Sequence, residues 1–457
     1  MAAMSFETYM DGFDACLSQY IPPRPSWTPL DEALFRPRDL YRIPPAEAES
    51  LQCQAIRYAF DRHYHHNRMY RTFCQEHGVS PADISTSEHL EKIPLIPDRF
   101  FKEYPAGRDL AAWIGNIYTG ELPRVVIKSQ TPSFDEVIGA FNAAGLVVSF
   151  SSGTSGRHTV IPRDRRTFLT SEYAIVKSAV AMLYPNWDPS LYGYLLMPNP
   201  RKTNVFAGKV CTVYFDVIRD VQVAIDRDVS ADVVRAAMSG QKNLRTAVIR
   251  LVTQIGTRRM IDRIIRWLFH HDRAGDRMAL VGAPFLIMSV MKRLQEQGRR
   301  LDLGERAGIV TGGGWKVYET RRIPSADFRQ MAVDVLGIPP EQCLDLYGMV
   351  EGNGWMVQCP EGHYLHVPTS YYRPLVLNDE FKPVGYGQWG RFAFLDAAAL
   401  SYPGFIITGD VVRLLEHCPV CDRPGPVLEP EVRRASGEEM RGCAEEVRRM
   451  VATDIGG

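Results

Sequence analysis

A chain of 457 residues, 45% hydrophobic and 23% charged, has the length for two or three domains and the makeup of an ordinary globular protein. Its 53 Lys and Arg balance 53 Asp and Glu, which excludes bulk nucleic-acid binding as an electrostatic role. No run approaches the roughly 18 apolar residues of a membrane span, the acidic N-terminus does not read as a signal peptide, and nine scattered cysteines suit free thiols in a reducing cytoplasm.

In chain order, the region up to about residue 90 reads as helical, interrupted at Ile21-Pro22-Pro23-Arg24-Pro25 and Ile43-Pro44-Pro45. Within it, Ala55–Tyr64 sets aliphatic and aromatic residues at helical spacing. His63, His65 and His66 splay over different faces of that helix and match no metal motif, so a packed or solvated face is expected there. Further on, short apolar runs alternate with longer helical patterns, which predicts an α/β protein of sheets covered by helices. The expected strands include 144–150, Leu191–Met197, Met278–Gly282, Ala307–Thr311 and Gly390–Leu395. The segment Leu244–His271 reads as one amphipathic basic helix or a pair broken near Gly256, and core packing is expected of it rather than a membrane-surface role.

Several short motifs stand at the ends of these runs. Ser151-Ser152-Gly153-Thr154-Ser155-Gly156 follows an apolar strand, with Arg157 and Arg163 adding positive charge beyond. Its small residues let backbone N–H groups and hydroxyls lie against phosphate oxygens. It is not a Walker A loop, because its glycines are too close and no Lys-Ser or Lys-Thr follows. Gly282-Ala283-Pro284-Phe285 is a turn at a strand end. The strand ending at Thr311 runs into Gly312-Gly313-Gly314, whose bare backbone permits close approach of a flat ring or a phosphate. Tyr347-Gly348-Met349-Val350-Glu351 sets a carboxylate where a hard cation such as Mg2+ beside phosphates would need one. Thr408-Gly409-Asp410 ends a strand in a carboxylate able to accept hydrogen bonds from a ribose. Cys418-Pro419-Val420-Cys421 has metal-knuckle spacing, with Cys359 and either His363 or His366 as the second pair of ligands. A reduced, metal-free or redox-active pair is the alternative.

Taken in order, the four nucleotide-type motifs resemble those of the adenylate-forming superfamily of acyl- and aryl-CoA ligases, over about 260 residues. The resemblance makes Ser151–Gly156 the phosphate loop, Gly312–Gly314 the loop against adenine, Glu351 the Mg2+ ligand and Asp410 the ribose ligand. Tyr347 and Gly348 fall within the nucleotide site. Within the superfamily the chain looks most like the acyl-protein synthetases of bacterial bioluminescence, through Ile93-Pro94-Leu95-Ile96-Pro97, Phe101-Lys102, the phosphate loop and Gly282–Phe285. Phenylacetate-CoA ligases come next. The resemblance covers roughly residues 90–445 and implies ATP and Mg2+, a carboxylic acid of fatty or aryl type, and a thiol acceptor. That acceptor would be CoA, a carrier protein, an acyl-reductase partner, or Cys443, which occupies a place like that of the acylated cysteine of acyl-protein synthetases.

Arg441 would favour a Cys443 thiolate, while Glu445 and Glu446 would oppose it. Some phenylacetate-CoA-ligase relatives carry structural zinc in the region of Cys359, His366, Cys418 and Cys421, which the resemblance extends to this chain. The expected organisation is a helical region over 1–90, an adenylating core over 91–430, and a hinge-like segment with a much reduced C-terminal piece over 431–457. The lysine that assists adenylation in the CoA ligases' C-terminal domain has no counterpart after Cys443. Two rival readings follow. One is a CoA ligase or a natural-product adenylating enzyme; the other is an inactive nucleotide-binding or partner-docking protein.

Overall fold

The computed structural model describes residues 4–151, 158–226, 244–315 and 322–434, with the helix path alone given for 244–256. The N-terminal region is helical, with α1 (Phe6–Cys16), α2 (Pro29–Phe35), α3 (Pro45–His66) and α4 (Arg68–Glu76). Pro29 and Pro45 open their helices, where a missing N–H costs nothing. Ser5, Thr28 and Asn67 cap α1, α2 and α4 with side-chain oxygens. Along α3, Ala48, Leu51, Ala55, Ile56, Ala59 and Phe60 form one buried stripe. His63 belongs to that stripe. Its ring lies between Thr119 Oγ1 (2.8 Å) and the Ala399 carbonyl (2.9 Å), and burial pulls its pKa down to about 3.

The strands in chain order are β1 (Ile96–Pro97), β2 (Val147–Phe150), β3 (Val160–Arg163), β4 (Tyr192–Pro198), β5 (Asp220–Ile225), β6 (Met278–Gly282), β7 (Ala307–Gly312) and β8 (Cys343–Tyr347). They continue with β9 (Met356–Gln358), β10 (Leu365–His366), β11 (Tyr372–Leu377), β12 (Trp389–Asp396), β13 (Phe405–Leu415), β14 (Val427–Leu428) and β15 (Arg433–Arg434). The large sheet runs β11-β12-β13-β14-β10-β9-β8-β7-β6-β4-β5, and β1 and β15 also pair with β13. Strands β5, β4, β6, β7 and β8 are parallel neighbours, and β6 is buried along its whole length, as a strand covered on both faces must be. Strand β13 joins the two halves: its start pairs with β12 and β1, its end with β14. Strands β2 and β3 form a separate hairpin.

The helix Leu244–Ala274 runs unbroken through Gly256. In its described part Met260, Ile261, Ile264, Ile265, Trp267 and Leu268 are buried in a core shared with β6, β7 and the helix Pro284–Glu296, so it packs as a core helix. No helix among the described residues is long and apolar enough to cross a membrane.

Candidate active site

Parallel pairing sets three of the motifs side by side. Gly282 is level with Thr311, and Gly312 with Leu346, so the loops after β6, β7 and β8 leave one edge of the sheet together. That edge, beyond the carboxyl ends of the strands, is where open α/β sheets bind ligands. Gly313 and Gly314 have φ of +75° and +64°, which a side chain at either would strain. Gly348 is required by close approach instead: a Cβ there would lie 2.6 Å from the Trp355 indole.

Glu351 sits in the turn between β8 and β9, and its backbone is gripped on every side. The guanidinium of Arg163, at the end of β3, donates to the Val350 carbonyl (2.6 Å) and the Gly352 carbonyl (3.2 Å). The Tyr402 hydroxyl donates to the Glu351 carbonyl at 2.9 Å, and Asp396 Oδ2 accepts the Asn353 N–H at 2.6 Å. Arg163 is fully buried and also meets Asn353 Oδ1 (2.9 Å), with its charge over the Phe206 ring. The sequence placed this arginine near phosphate. The structure puts it beneath the Glu351 turn, where its forked donors match converging carbonyls.

The Glu351 carboxyl is itself buried, and burial raises its pKa. Its Oε1 accepts a hydrogen bond from Thr159 Oγ1 at 2.8 Å. Thr159 lies at the stem of the β2–β3 hairpin. Its N–H donates to Ser151 Oγ (2.8 Å), and the Ser151 N–H donates to the Thr159 carbonyl (2.9 Å). The stem of the Ser/Gly loop is therefore tied directly to Glu351. Ser152, Gly153, Thr154, Ser155 and Gly156 lie outside the described residues.

Asp410 lies within β13 and is held from two sides. Tyr347 donates its hydroxyl to Oδ2 at 2.6 Å, and Arg434, on the paired β15, approaches Oδ1 at 2.9 Å. Burial raises the Asp410 pKa and the Arg434 charge opposes that rise. A residue pair that sequence reasoning missed completes the group. Strand β1 pairs in parallel with β13, Ile96 with Ile406 and Pro97 with Ile407, and this carries Asp98 alongside Thr408 and Gly409. Asp98 Oδ2 stands 3.7 Å from where a Gly409 Cβ would be and accepts from Lys102 Nζ at 2.5 Å. Burial alone would pull the Lys102 pKa down, but Asp98 and then Glu351 outweigh it and hold it above the ordinary lysine range.

A second cluster lies around β9, β10 and the turn after β13. Donor atoms of Cys359, His366, Cys418 and Cys421 all lie within 4.8 Å of one another. Cys359 and Cys418 sulfurs are 4.0 Å apart, and Cys421 Sγ is 3.3 Å from His366 Nε2. These spacings are close to the ligand–ligand edges of roughly 3.5–3.8 Å that Zn–S and Zn–N bonds give in a tetrahedron. Burial pushes the Cys359 thiol up to about 12, so a bound cation would have to displace its proton, and pulls the His366 imidazole down to about 3, which keeps the ring in the neutral form that ligates a metal. His363, with φ of +60°, turns away and meets the Pro340 carbonyl at 3.1 Å. Cys443 lies outside the described residues.

The fold is the one found in adenylate-forming ligases. Two solved structures of 2-hydroxyisobutyryl-CoA ligase share the fold. The one with 2-HIB-AMP and CoA in the thioesterification state has a TM-score of 0.58 and 15% identity, over 92% of this chain and 73% of that one. The open conformation with 2-HIB-AMP and CoA has a TM-score of 0.57 and 14% identity, over 87% and 71%. The family model "Acyl-protein synthetase, LuxE" matches residues 29–115 and 255–451, and the chain belongs to that family. It is similar to the long-chain-fatty-acid–luciferin-component ligase of Vibrio harveyi, 26% identical over 87% of this chain and 87% of the relative. The Aliivibrio fischeri ligase of the same name is 24% identical over 90% and 91%. The protein is accordingly an acid–thiol ligase that activates a carboxylic acid as its acyl-adenylate and passes the acyl group to a thiol.

Proposed function

We propose that the acid is a long-chain fatty acid, that the described cluster is the adenylating centre, and that Cys443 takes the acyl group. The observation that carries this reading is the Thr159–Glu351 hydrogen bond, which joins the stem of the Ser/Gly loop to the carboxylate of the Tyr-Gly-x-x-Glu turn. The names of the two curated relatives support the choice of acid.

In this reading the fatty carboxylate attacks the α-phosphorus of ATP, forming the acyl–phosphate bond as pyrophosphate leaves. Donors from Ser151, Ser152, Thr154 and Ser155 with the N–H groups of Gly153 and Gly156 hold the phosphates. Gly312–Gly314 lie against the adenine beside Tyr347 and Gly348, and Asp410 accepts from the ribose. Mg2+ held at Glu351 would supply charge neutralisation for the phosphates. The fit of that site rests on a buried carboxylate beside the loop stem, with one oxygen already fixed by Thr159. The fixed groups lower the barrier by positioning and by charge compensation. The Cys443 thiolate then attacks the acyl carbonyl, the thioester forms and AMP leaves.

Cys359, His366, Cys418 and Cys421 would hold one Zn2+ as a closed, structural site, since four protein ligands leave no open position for chemistry. None of the eight described cysteines is in a disulfide, which suits a cytoplasmic setting. We assign residues 91–430 to the adenylating core, 1–90 to its helical N-terminal region and 431–457 to the hinge-like segment.

The test is to incubate the protein with ATP and labelled palmitic acid, with and without CoA, and compare wild type with Cys443→Ala. Label lost from the variant protein supports the reading. Undiminished label on the variant, or fast CoA thioester formation, would sink self-acylation at Cys443 and favour a CoA ligase.

A further inference from the structure

Adenylation forces two anions together, because a carboxylate must reach the α-phosphorus of a triphosphate already rich in negative oxygen. A protein that catalyses it needs a positive group at the point of contact, in a place where water does not screen the charge. Among the described residues the Glu351–Asp410 region is short of such charge. Three carboxylates, Asp98, Glu351 and Asp410, converge there. Among the described residues Arg163 does not serve, since it is fully buried beneath the turn and spends its donors on Val350, Gly352 and Asn353. Arg434 is engaged with Asp410 and its side chain is 75% exposed, where screening weakens it.

Lys102 differs from both. Its side chain is only 25% exposed, its ammonium rests on Asp98 at 2.5 Å, and its charge reaches both Glu351 and Asp410. It is delivered by the β1–β13 pairing, the same strand that carries Thr408-Gly409-Asp410, so its place is fixed by the site's own framework. Gly409 puts no side chain of its own into the space where a Cβ would stand 3.7 Å from Asp98 Oδ2 and 4.0 Å from Arg434. A lysine has a flexible four-carbon stem and three rotatable donors, which suits a cation that must change partners.

We propose that Lys102 is the cation that meets the reacting carboxylate and α-phosphate during adenylation, and that Asp98 holds its ammonium until the nucleotide arrives. The inference rests on the adenylation reading above. Lys102 moves no proton: the acid oxygen bonds to the α-phosphorus, the bridging oxygen departs with pyrophosphate, and the ammonium stays charged throughout. Acyl transfer from a finished adenylate to a thiol does not create that congestion of anions, so it does not need Lys102.

Three measurements on the full chain decide it, with Lys102→Met and Lys102→Arg beside wild type. Palmitate-dependent ATP–pyrophosphate exchange should fall about 10²-fold or more in Lys102→Met, the scale of removing one preorganised electrostatic group. Lys102→Arg should recover part of it. Thiol acylation from supplied palmitoyl-adenylate should stay within a few-fold of wild type in both variants. Near-wild-type exchange in Lys102→Met would overturn the proposal. So would equal loss of both half-reactions with a lowered thermal midpoint and no recovery in Lys102→Arg, which would mean a structural role. No exchange in the wild-type protein would remove the adenylation reading itself, and this proposal with it.

Discussion

Replacing Arg163 with methionine keeps most of the buried bulk beneath the Glu351 turn and removes every donor the guanidinium supplies. Five hydrogen bonds go, to Asn353 Oδ1, Ser149 Oγ, the carbonyls of Val350 and Gly352, and the Tyr402 hydroxyl. Ser149 and Tyr402 keep other means of satisfaction, since hydroxyls rotate and Tyr402 still donates to the Glu351 carbonyl. The Val350 and Gly352 carbonyls and Asn353 Oδ1 do not, and each buried acceptor left without a donor costs about 1–3 kcal/mol. The gross cost is three such groups. Against it stands the relief of a buried cation whose own pKa burial has lowered. The net expectation is a loss of roughly 3–5 kcal/mol of folding stability. Urea unfolding followed by tryptophan fluorescence reads it. Below the unfolding transition, pyrophosphate exchange should need more Mg2+ for half-maximal rate, because Glu351 is no longer fixed. A lysine ammonium cannot reproduce the guanidinium fork, so Arg163→Lys should recover little. A methionine variant with wild-type stability and wild-type Mg2+ dependence would refute the claim that this guanidinium sets the Glu351 turn.

Two further outcomes are expected. Purified protein should carry about one zinc per chain by elemental analysis, the stoichiometry of a single four-ligand site; Cys418→Ser with Cys421→Ser should lose the metal and lower the thermal midpoint, and a metal-free wild type of unchanged stability would contradict this. The Ala399 carbonyl can only accept, so neutral His63 carries its proton on Nε2 and accepts from Thr119 at Nδ1. Its pKa is about 3 when folded against an ordinary value of 6.5, so the unfolded chain takes the proton first as pH falls. Stability should therefore drop below about pH 6.5, by roughly 2 kcal/mol at pH 5. His63→Gln should remove that share of the acid slope in urea titrations at the two pH values; an identical slope would mean His63 is not the group responsible.

The strands that hold the site were readable because parallel strands buried on both faces appear as unbroken apolar runs, and Met278–Gly282 is one such run. The loops after them were readable because glycine and carboxylate chemistry leaves marks at fixed positions, as at Gly312–Gly314, Glu351 and Asp410. Contacts made by pairing distant chain were not readable. Asp98 and Lys102 reach the site through a two-residue strand pairing across some three hundred residues, and nothing in Ile96-Pro97 announces its partner. Arg163 looked like loop charge because sequence shows its neighbours in the chain, and its partners lie nearly two hundred residues on. The choice between His363 and His366 was likewise open in sequence. Backbone geometry decides which ring faces the sulfurs: His363 sits at positive φ and turns to Pro340, while His366 lies in a strand beside Cys421.

The most direct measurement of the central claim is palmitate-dependent exchange of labelled pyrophosphate into ATP, run on wild type and Cys443→Ala together. Under the proposed function, adenylation at the Ser151–Glu351–Asp410 group precedes transfer, so exchange should require the acid and Mg2+ and should be unchanged in the cysteine variant. Exchange absent from wild type, or present without acid, or lost with Cys443, would contradict the account.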